Sequence, residues 1–142
     1  MDEEMESSGL VVAFATLDGD AIPKGHFGEA PRFDFYRLTA VSATRVGTVT
    51  NPRTGELQGH PPHADSGGHK GGGTGRLLGT HGAQVMVSRA FGSNIKRMRR
   101  RFLPVKLNLE NVDDAISLLQ ANWPLVQAYW LQGAGRKHLV FR

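Results

Sequence analysis

The sequence predicts a mixed α/β domain, in which one sheet with antiparallel and parallel strands carries helices on its faces. An apolar run opens the chain at Leu10–Thr16, and two β-prone segments follow at Arg32–Leu38 and Val41–Thr50. Short apolar runs then alternate with amphipathic helical patterns, and a hairpin followed by β-α-β-α is typical of a mixed sheet. The 142 residues suffice for one domain with a substantial core.

The first segments form the antiparallel half of the predicted sheet. Leu10–Thr16 is almost entirely apolar, which is typical of a central strand buried on both faces. Arg32–Leu38 alternates in polarity and pairs with Val41–Thr50 as a hairpin, because very few residues separate them. Residues 51–73 carry three prolines and seven glycines and are predicted to form a long loop.

The next segments form the parallel half. Thr74–His81 is predicted to be a short helix and Ala83–Ser88 a strand. Ser93 is predicted to cap a helix that runs to about Arg101. Leu103–Leu107 is the next strand, which carries a proline at its start or lies at an edge. The apolar face of the helix after Ser93 consists of Ile95, Met98 and Phe102.

The last predicted helices follow Leu107. Asn111, or alternatively Asn108, caps a helix with acidic residues in its first turn, as the helix dipole favours. A second short helix, Leu125–Leu131, begins at Trp123-Pro124. The basic segment His138–Arg142 is interpreted as a docking or dimer-edge strand. The buried face of the helix after Asn111 consists of Val112, Ala115, Ile116 and Leu119.

Composition restricts the classes of function. No run of 18 apolar residues occurs and the N-terminus, Met1-Asp2-Glu3-Glu4, is acidic, so we expect a cytoplasmic protein without a membrane segment. Cysteine is absent, which excludes disulfides and protein-thiolate metal sites. The net charge of +4 and the basic blocks around Lys96–Arg101 and Arg136-Lys137 favour an anionic partner.

The tripeptide His26-Phe27-Gly28 is the first candidate site. It follows the opening strand and precedes Arg32–Leu38, which places an imidazole where ligands usually meet open sheets. A surface histidine can ligate a metal or cluster through one ring nitrogen. The alternative is a half-buried histidine that caps a turn, with Phe27 as its anchor in the core.

The ordered set of segments resembles the dinitrogenase iron–molybdenum cofactor biosynthesis family, the nitrogenase accessory factors. The resemblance covers about residues 9–122, with an acidic tail at 1–8 before it and a C-terminal extension at 123–142. The features that carry it are the opening strand, His26-Phe27-Gly28, the aromatic strand Phe33-Asp34-Phe35-Tyr36, a loop rich in His and Gly, Leu77-Leu78, Phe91-Gly92 and the helix at Val112–Ile116.

This resemblance implies a ribonuclease-H-like motif of three layers, α/β/α, around a five-stranded sheet. It also implies a non-catalytic protein that binds, carries or delivers an iron–molybdenum-type or related metal–sulfur cluster. His26, Phe27 and Gly28 would contact the cluster. The expected partner is a cofactor-assembly or acceptor protein, and the expected state is a monomer or weak homodimer.

Two further groups of residues are candidate contacts. The glycine-rich run that includes Gly72, Gly73, Gly75 and Arg76 can form an anion nest before a helix, or a hinge with Thr74 as the N-cap. His60, His63 and His69 could chelate a metal if their loop bends, or could belong to a solvated polar loop.

Two other functions stay open at this point. Lys96–Arg101 could bind nucleic acid or an acidic protein, although it lacks interleaved aromatic residues and could be the solvated side of a helix. Asp18, Asp20, Glu29 and Asp34 could serve a metal-dependent hydrolase of ribonuclease-H-like fold. The opening strand lacks the carboxylate that such an enzyme places there, and this weakens the hydrolase reading.

Overall fold

The computed structural model describes residues 9–52 and 75–142. Six strands form one sheet: β1 Leu10–Thr16, β2 Arg32–Leu38, β3 Ala43–Thr50, β4 Val85–Ser88, β5 Leu103–Lys106 and β6 Leu139–Val140. The helices of the described residues are α1, residues 75–80, then α2 Ile95–Met98, α3 Val112–Ala121 and α4 Trp123–Trp130.

The strand order across the sheet is β3-β2-β1-β4-β5-β6. The pairs β1–β2 and β2–β3 are antiparallel, whereas β4, β5 and β6 continue the sheet in parallel from β1. The predicted mixed sheet is therefore confirmed. The predicted count of five strands is wrong, because residues 139–140 add a sixth beside β5.

The core lies on both faces of this sheet. On the first face, Val12 and Phe14 of β1 pack with the apolar sides of α3 and α4. On the second face, Ala13 and Ala15 of the same strand pack with Leu78 of α1 and with residues of α2 and its following turn. The alternation along β1 accounts for this division, because successive side chains of a strand point to opposite faces. The described elements thus form three layers, and the ribonuclease-H-like name for them stays a prediction.

The two predicted helix caps have different outcomes. The Oδ1 atom of Asn111 accepts the backbone N–H of Asp114 at 2.8 Å, so the predicted cap of α3 is confirmed. Its predicted buried face, Val112, Ala115, Ile116 and Leu119, is confirmed as well. Ser93 is not the cap of α2, because Asn94 occupies that position, and α2 ends at Met98 well short of Arg101.

The connections after β4 and β5 leave the sheet in opposite directions. The chain after β4 enters α2, which packs on the second face through Met98. The chain after β5 enters α3, which packs on the first face through Val112. The two connections therefore leave the carboxyl edge of the sheet on opposite faces, and open α/β sheets usually bind ligands outside the carboxyl ends of their strands.

The C-terminal residues are fastened to the rest of the domain by Arg136. Its side chain is buried at 5% exposure, and its guanidinium carbon lies 4.2 Å from the centre of the Trp130 ring. Nη1 donates to the carbonyl oxygens of Arg99 at 3.0 Å and Arg100 at 3.2 Å, and Nη2 donates to that of Trp130 at 3.0 Å. Residues 133–140 are thereby bound to the turn that leads into β5.

Candidate ligand-binding site at the carboxyl edge of the sheet

His26 lies at the carboxyl edge of the sheet, beside the end of β4. It precedes a single 3-10 turn, Phe27–Glu29, and its backbone is extended at φ −69° and ψ 152°. The backbone N–H of Phe27 donates to the carbonyl oxygen of Ala90 at 3.0 Å, so that His26 and Ala90 form a short parallel bridge. This bridge holds the turn against the connection that follows β4.

Phe27 anchors the turn in the core. Its side chain is 2% exposed, and its ring stacks on Phe33 with centres 4.9 Å apart and on Phe91 with centres 5.7 Å apart. Offset stacking of this kind stabilises a buried aromatic cluster. Phe27 therefore acts as the core anchor that the alternative reading proposed, whereas His26 itself is exposed. The tripeptide combines a buried anchor with an accessible imidazole.

Gly92 determines how the imidazole lies. A Cβ atom at position 92 would come within 3.3 Å of Nδ1 of His26 and 3.7 Å of its Cε1, so only a glycine lets the ring approach this backbone without adjustment. The other ring nitrogen, Nε2, is further from that position than these two atoms, and His26 as a whole is exposed. The carboxylate of Glu29 accepts the backbone N–H of His26 at 3.3 Å.

Asn51 supports the turn from the other side, a role that the sequence did not indicate. The residue is 2% exposed, and its Nδ2 donates to the carbonyl oxygens of Gly28 at 3.0 Å and Ala30 at 2.7 Å. Its backbone N–H donates to the carbonyl oxygen of Pro31 at 2.8 Å. An asparagine between a strand and a proline is ordinary turn chemistry in a sequence, so only the fold reveals these long-range contacts.

Arg89 and Asn108 lie at the same edge, where they follow the carboxyl ends of β4 and β5. Nη2 of Arg89 donates to Oδ1 of Asn108 at 3.2 Å. Nε of Arg89 is buried and has no hydrogen-bond partner within the described part of the chain. Because Arg89 directly precedes Ala90, the bridge to His26 places both residues on one stretch of the edge.

The other predicted contacts fall elsewhere or outside the described residues. Gly75 is buried in α1 against the turn after α2, where a Cβ atom would lie 3.7 Å from Nη1 of Arg101 and 3.8 Å from Sδ of Met98. Arg76 is exposed on the same helix. Among the described residues, neither Gly75 nor Arg76 forms a hydrogen bond or ion pair with His26. The positions outside the described ranges are Gly72, Gly73, His60, His63, His69 and the proposed cap Thr74.

Asp34 is a structural residue. Its carboxylate is fully buried and accepts hydrogen bonds from Thr16 at 2.6 Å, from Thr48 at 2.7 Å, and from Arg32 and Arg45 at 2.8 Å each. Burial raises the pKa of Asp34, but the hydrogen bonds from Arg32, Thr16 and Thr48 outweigh it and lower the pKa to about 2. Both of its oxygens accept hydrogen bonds from protein donors, so Asp34 is not free to bind the metal that the hydrolase hypothesis requires.

The other carboxylates of the described residues do not form a metal site either. Within 9–52 and 75–142, no group of three His, Asp or Glu side chains has the geometry to hold a metal ion. Asp18 is exposed, and backbone N–H groups of Ala21 and Asp20 lower the pKa of its carboxyl group. Its oxygens organise the turn after β1, in the manner of an Asx turn.

The basic block after residue 95 is mostly solvent-exposed. Lys96, Arg97, Arg100 and Arg101 are exposed, whereas Met98 and Phe102 are buried as the helical pattern predicted. The guanidinium carbon of Arg101 lies 5.3 Å from the centre of the Phe102 ring. This arrangement matches the solvated face of an amphipathic segment, in which cationic heads extend into water over apolar stems.

A comparison with protein families identifies the family of the chain. A family model described as dinitrogenase iron–molybdenum cofactor matches residues 9–122. The chain belongs to this family. Membership associates it with the biosynthesis or carriage of the iron–molybdenum cofactor and with accessory domains that bind or carry that cofactor. A search of the curated proteins finds no match to the chain.

A solved structure supports the fold. The chain is similar to a protein from Methanocaldococcus jannaschii that is provisionally called a dinitrogenase, whose crystal structure was determined at 1.70 Å resolution. The TM-score is 0.57 at 13% sequence identity, over 80% of this chain and 90% of that chain. At this identity the likeness concerns the fold. Among the described residues, no helix is long and apolar enough to cross a membrane.

Proposed function

We propose that this protein binds an iron–molybdenum-type or related metal–sulfur cluster and delivers it to an acceptor protein, without catalysing a reaction. The observation that carries the proposal is the exposed imidazole of His26, held on a rigid turn at the carboxyl edge of the sheet. Phe27 fixes the turn from the core and Asn51 fixes it from the side. The cluster would arrive as cargo with its own sulfides.

The donor chemistry suits temporary binding. The chain has no cysteine, so no protein thiolate can hold the cluster. A single neutral imidazole supplies one coordination bond, which an acceptor with more ligands can replace. The positive charge of the chain, +4 in total, favours an anionic cargo. A carrier needs this combination of recognition and easy release.

The secondary contacts belong to the same proposal. Gly72, Gly73 and Arg76 would neutralise charge on the cluster, and His60, His63 and His69 would close over it. Gly75 has a packing role against α2 as well, because it is buried there. We propose a monomer or a weak homodimer that meets a cofactor-assembly or acceptor protein. The proposed topology is the ribonuclease-H-like motif extended by β6.

An anaerobic titration with isolated iron–molybdenum cofactor tests the proposal. The intact protein should bind it stoichiometrically, as read by visible absorbance and by a gel shift. His26→Ala should lose this binding, because the variant removes the ligand without disturbing the buried anchor. His81→Ala is the matched control: His81 is also exposed, but it stacks on Phe35 away from the edge, with ring centres 5.0 Å apart.

The titration has three informative outcomes. Loss of binding in His26→Ala with retention in His81→Ala supports a site at the carboxyl edge. Absence of binding by the intact protein contradicts the carrier function. Equal binding by the intact protein, His26→Ala and His81→Ala contradicts the role of His26 and indicates that the cofactor binds elsewhere.

A further inference from the structure

The guanidinium group of Arg89 has an unused donor edge. Nε and Nη2 of an arginine lie on one side of its planar fork and together match the two oxygens of a carboxylate or phosphate. In Arg89, Nη2 donates to the amide oxygen of Asn108 at 3.2 Å, but Nε is buried without a partner among the described residues. A buried donor left without an acceptor is unfavourable, and such a group in a native structure calls for a ligand or a water.

Arg32 shows what this donor edge does when it is filled. Its Nε donates to Oδ2 of Asp34 at 3.1 Å, and its Nη2 donates to Oδ1 at 2.8 Å. This is the two-pronged contact expected between a guanidinium and a carboxylate. Arg32 and Arg45 each form an ion pair with Asp34 at 2.8 Å. Within residues 9–52 and 75–142, the side-chain partner of Arg89 is the neutral amide of Asn108.

Arg89 lies at the edge of the sheet where ligands are expected. It follows β4 where the chain turns to the second face, and Asn108 follows β5 where the chain turns to the first face. Open α/β sheets usually bind ligands outside the carboxyl ends of their strands. Arg89 also lies next to Ala90, which bridges to His26.

We infer that Arg89 and Asn108 form a subsite for an oxyanion, a carboxylate or phosphate group, beside His26. Nε is shielded from solvent in the present rotamer, but Arg89 as a whole is only part-buried, so its side chain can turn outward and offer Nε and Nη2 together to the anion. Asn108 is exposed, so its amide can turn and offer its NH₂ group to the same anion in place of its oxygen. The inference rests on the proposed function where it makes this anion part of the cargo. Binding of an anion by Arg89 does not depend on the proposed function.

The test uses citrate and inorganic phosphate as probes on the full chain. The ¹⁵N–¹H resonance of Arg89 Nε, assigned by its loss in Arg89→Gln, should shift on titration with citrate. The Arg89→Gln and Arg89→Lys variants should weaken citrate binding in calorimetry by about tenfold or more, because each loses the charged two-pronged contact. Arg97→Gln is the control, since Arg97 is an exposed cation on α2.

The comparison of probes identifies the group. A response to citrate alone assigns a carboxylate subsite, and a response to both probes assigns a general oxyanion subsite. A response of equal size in Arg97→Gln, or an unmoved Arg89 resonance with both probes, overturns the inference. Arg89→Lys keeps the charge, so its failure to weaken binding also contradicts the two-pronged contact.

The cofactor titration distinguishes this inference from the proposed function. If the cluster does not bind but citrate moves Arg89, then the carrier function fails and the oxyanion subsite stands. If the cluster binds through His26 and neither probe moves Arg89, then the subsite fails and the carrier function stands.

Discussion

Two arginines near the carboxyl edge of this sheet have opposite surroundings. Arg32 uses both donors of its fork on Asp34, which also accepts hydrogen bonds from Thr16, Thr48 and Arg45. Arg89 uses one donor on an exposed asparagine and leaves Nε unpaired. The first arrangement is complete within the protein, whereas the second leaves one buried donor without a partner among the described residues.

The difference separates a structural polar cluster from one that we propose to bind an anion. The Asp34 cluster joins β1, β2 and β3, and it lies close to the irregularity in β2–β3 pairing between Phe35 and Tyr36. It therefore helps to fix strand register. At the edge around His26 and Arg89 the backbone is held by hydrogen bonds, but the imidazole of His26 is exposed and Nε of Arg89 has no partner among the described residues. Changes in the closed cluster should act on stability, and changes at the open edge should act on binding.

The largest expected effect is that of Asp34→Asn. The variant leaves two guanidinium groups facing a site that no longer carries negative charge. The carboxylate is buried but the side chains of Arg32 and Arg45 are 29% and 47% exposed, so the expected loss is that of charged hydrogen bonds, about 2–3 kcal/mol of the free energy of unfolding. Urea denaturation measures the change, with Asp20→Asn as a control at an exposed carboxylate. A change of similar size in both variants would contradict a special role for Asp34.

A pH titration of stability tests the same cluster without a mutation. The pKa of Asp34 is lowered from 3.8 to about 2 in the folded protein. Its contribution is therefore present above pH 4 and is lost as the pH falls from about 4 to about 2, where the folded protein takes up the proton. The linked loss is about 2 kcal/mol. Urea midpoints across this range should decline less in Asp34→Asn; an equal decline would assign the acid sensitivity to other carboxylates.

The smallest expected effects come from a matched pair of glycine substitutions. Gly19 has φ +97°, and a Cβ atom there would lie 2.8 Å from Nη2 of both Arg32 and Arg45, which Asp34 holds in place. Gly19→Ala should therefore cost about 1–2 kcal/mol of stability. Gly92→Ala only displaces the exposed ring of His26, so it should change stability by less than about 0.5 kcal/mol but weaken cofactor binding.

Thermal unfolding and the anaerobic cofactor titration, applied to both glycine variants, measure this contrast. The reverse result, in which Gly92→Ala unfolds more easily and Gly19→Ala binds less cofactor, would contradict the division between a closed cluster and an open edge.

Local patterns in the sequence were sufficient for most of the fold. The bounds of β1 and β2 are as predicted, and α3 has its predicted cap and buried face, because apolar periodicity and capping chemistry act over a few residues. Ser93 was wrong as a cap, since serine and asparagine stand side by side and both suit the position. β6 joins the sheet only because α4 and Arg136 return the chain to β5.

The candidate site is only partly visible in the sequence. His26 and Phe27 were singled out because they follow a clear strand, and their contact with a cluster stays a prediction. Asn51 and Arg89 were not singled out, because their contacts join groups that are brought together across the sheet. No local pattern distinguishes an arginine with an unpaired donor from one that is saturated by a carboxylate.

The bonds of Arg136 have a consequence for the order of folding. Ribosomes synthesise β5 before Arg136 and β6, so the outer edge of β5 and the carbonyl oxygens of Arg99 and Arg100 first meet water rather than protein. An unpaired strand edge of this kind can pair with another chain. Until β6 pairs with β5 this edge stays open, so the sheet is completed on this side only after Arg136 and β6 have been synthesised.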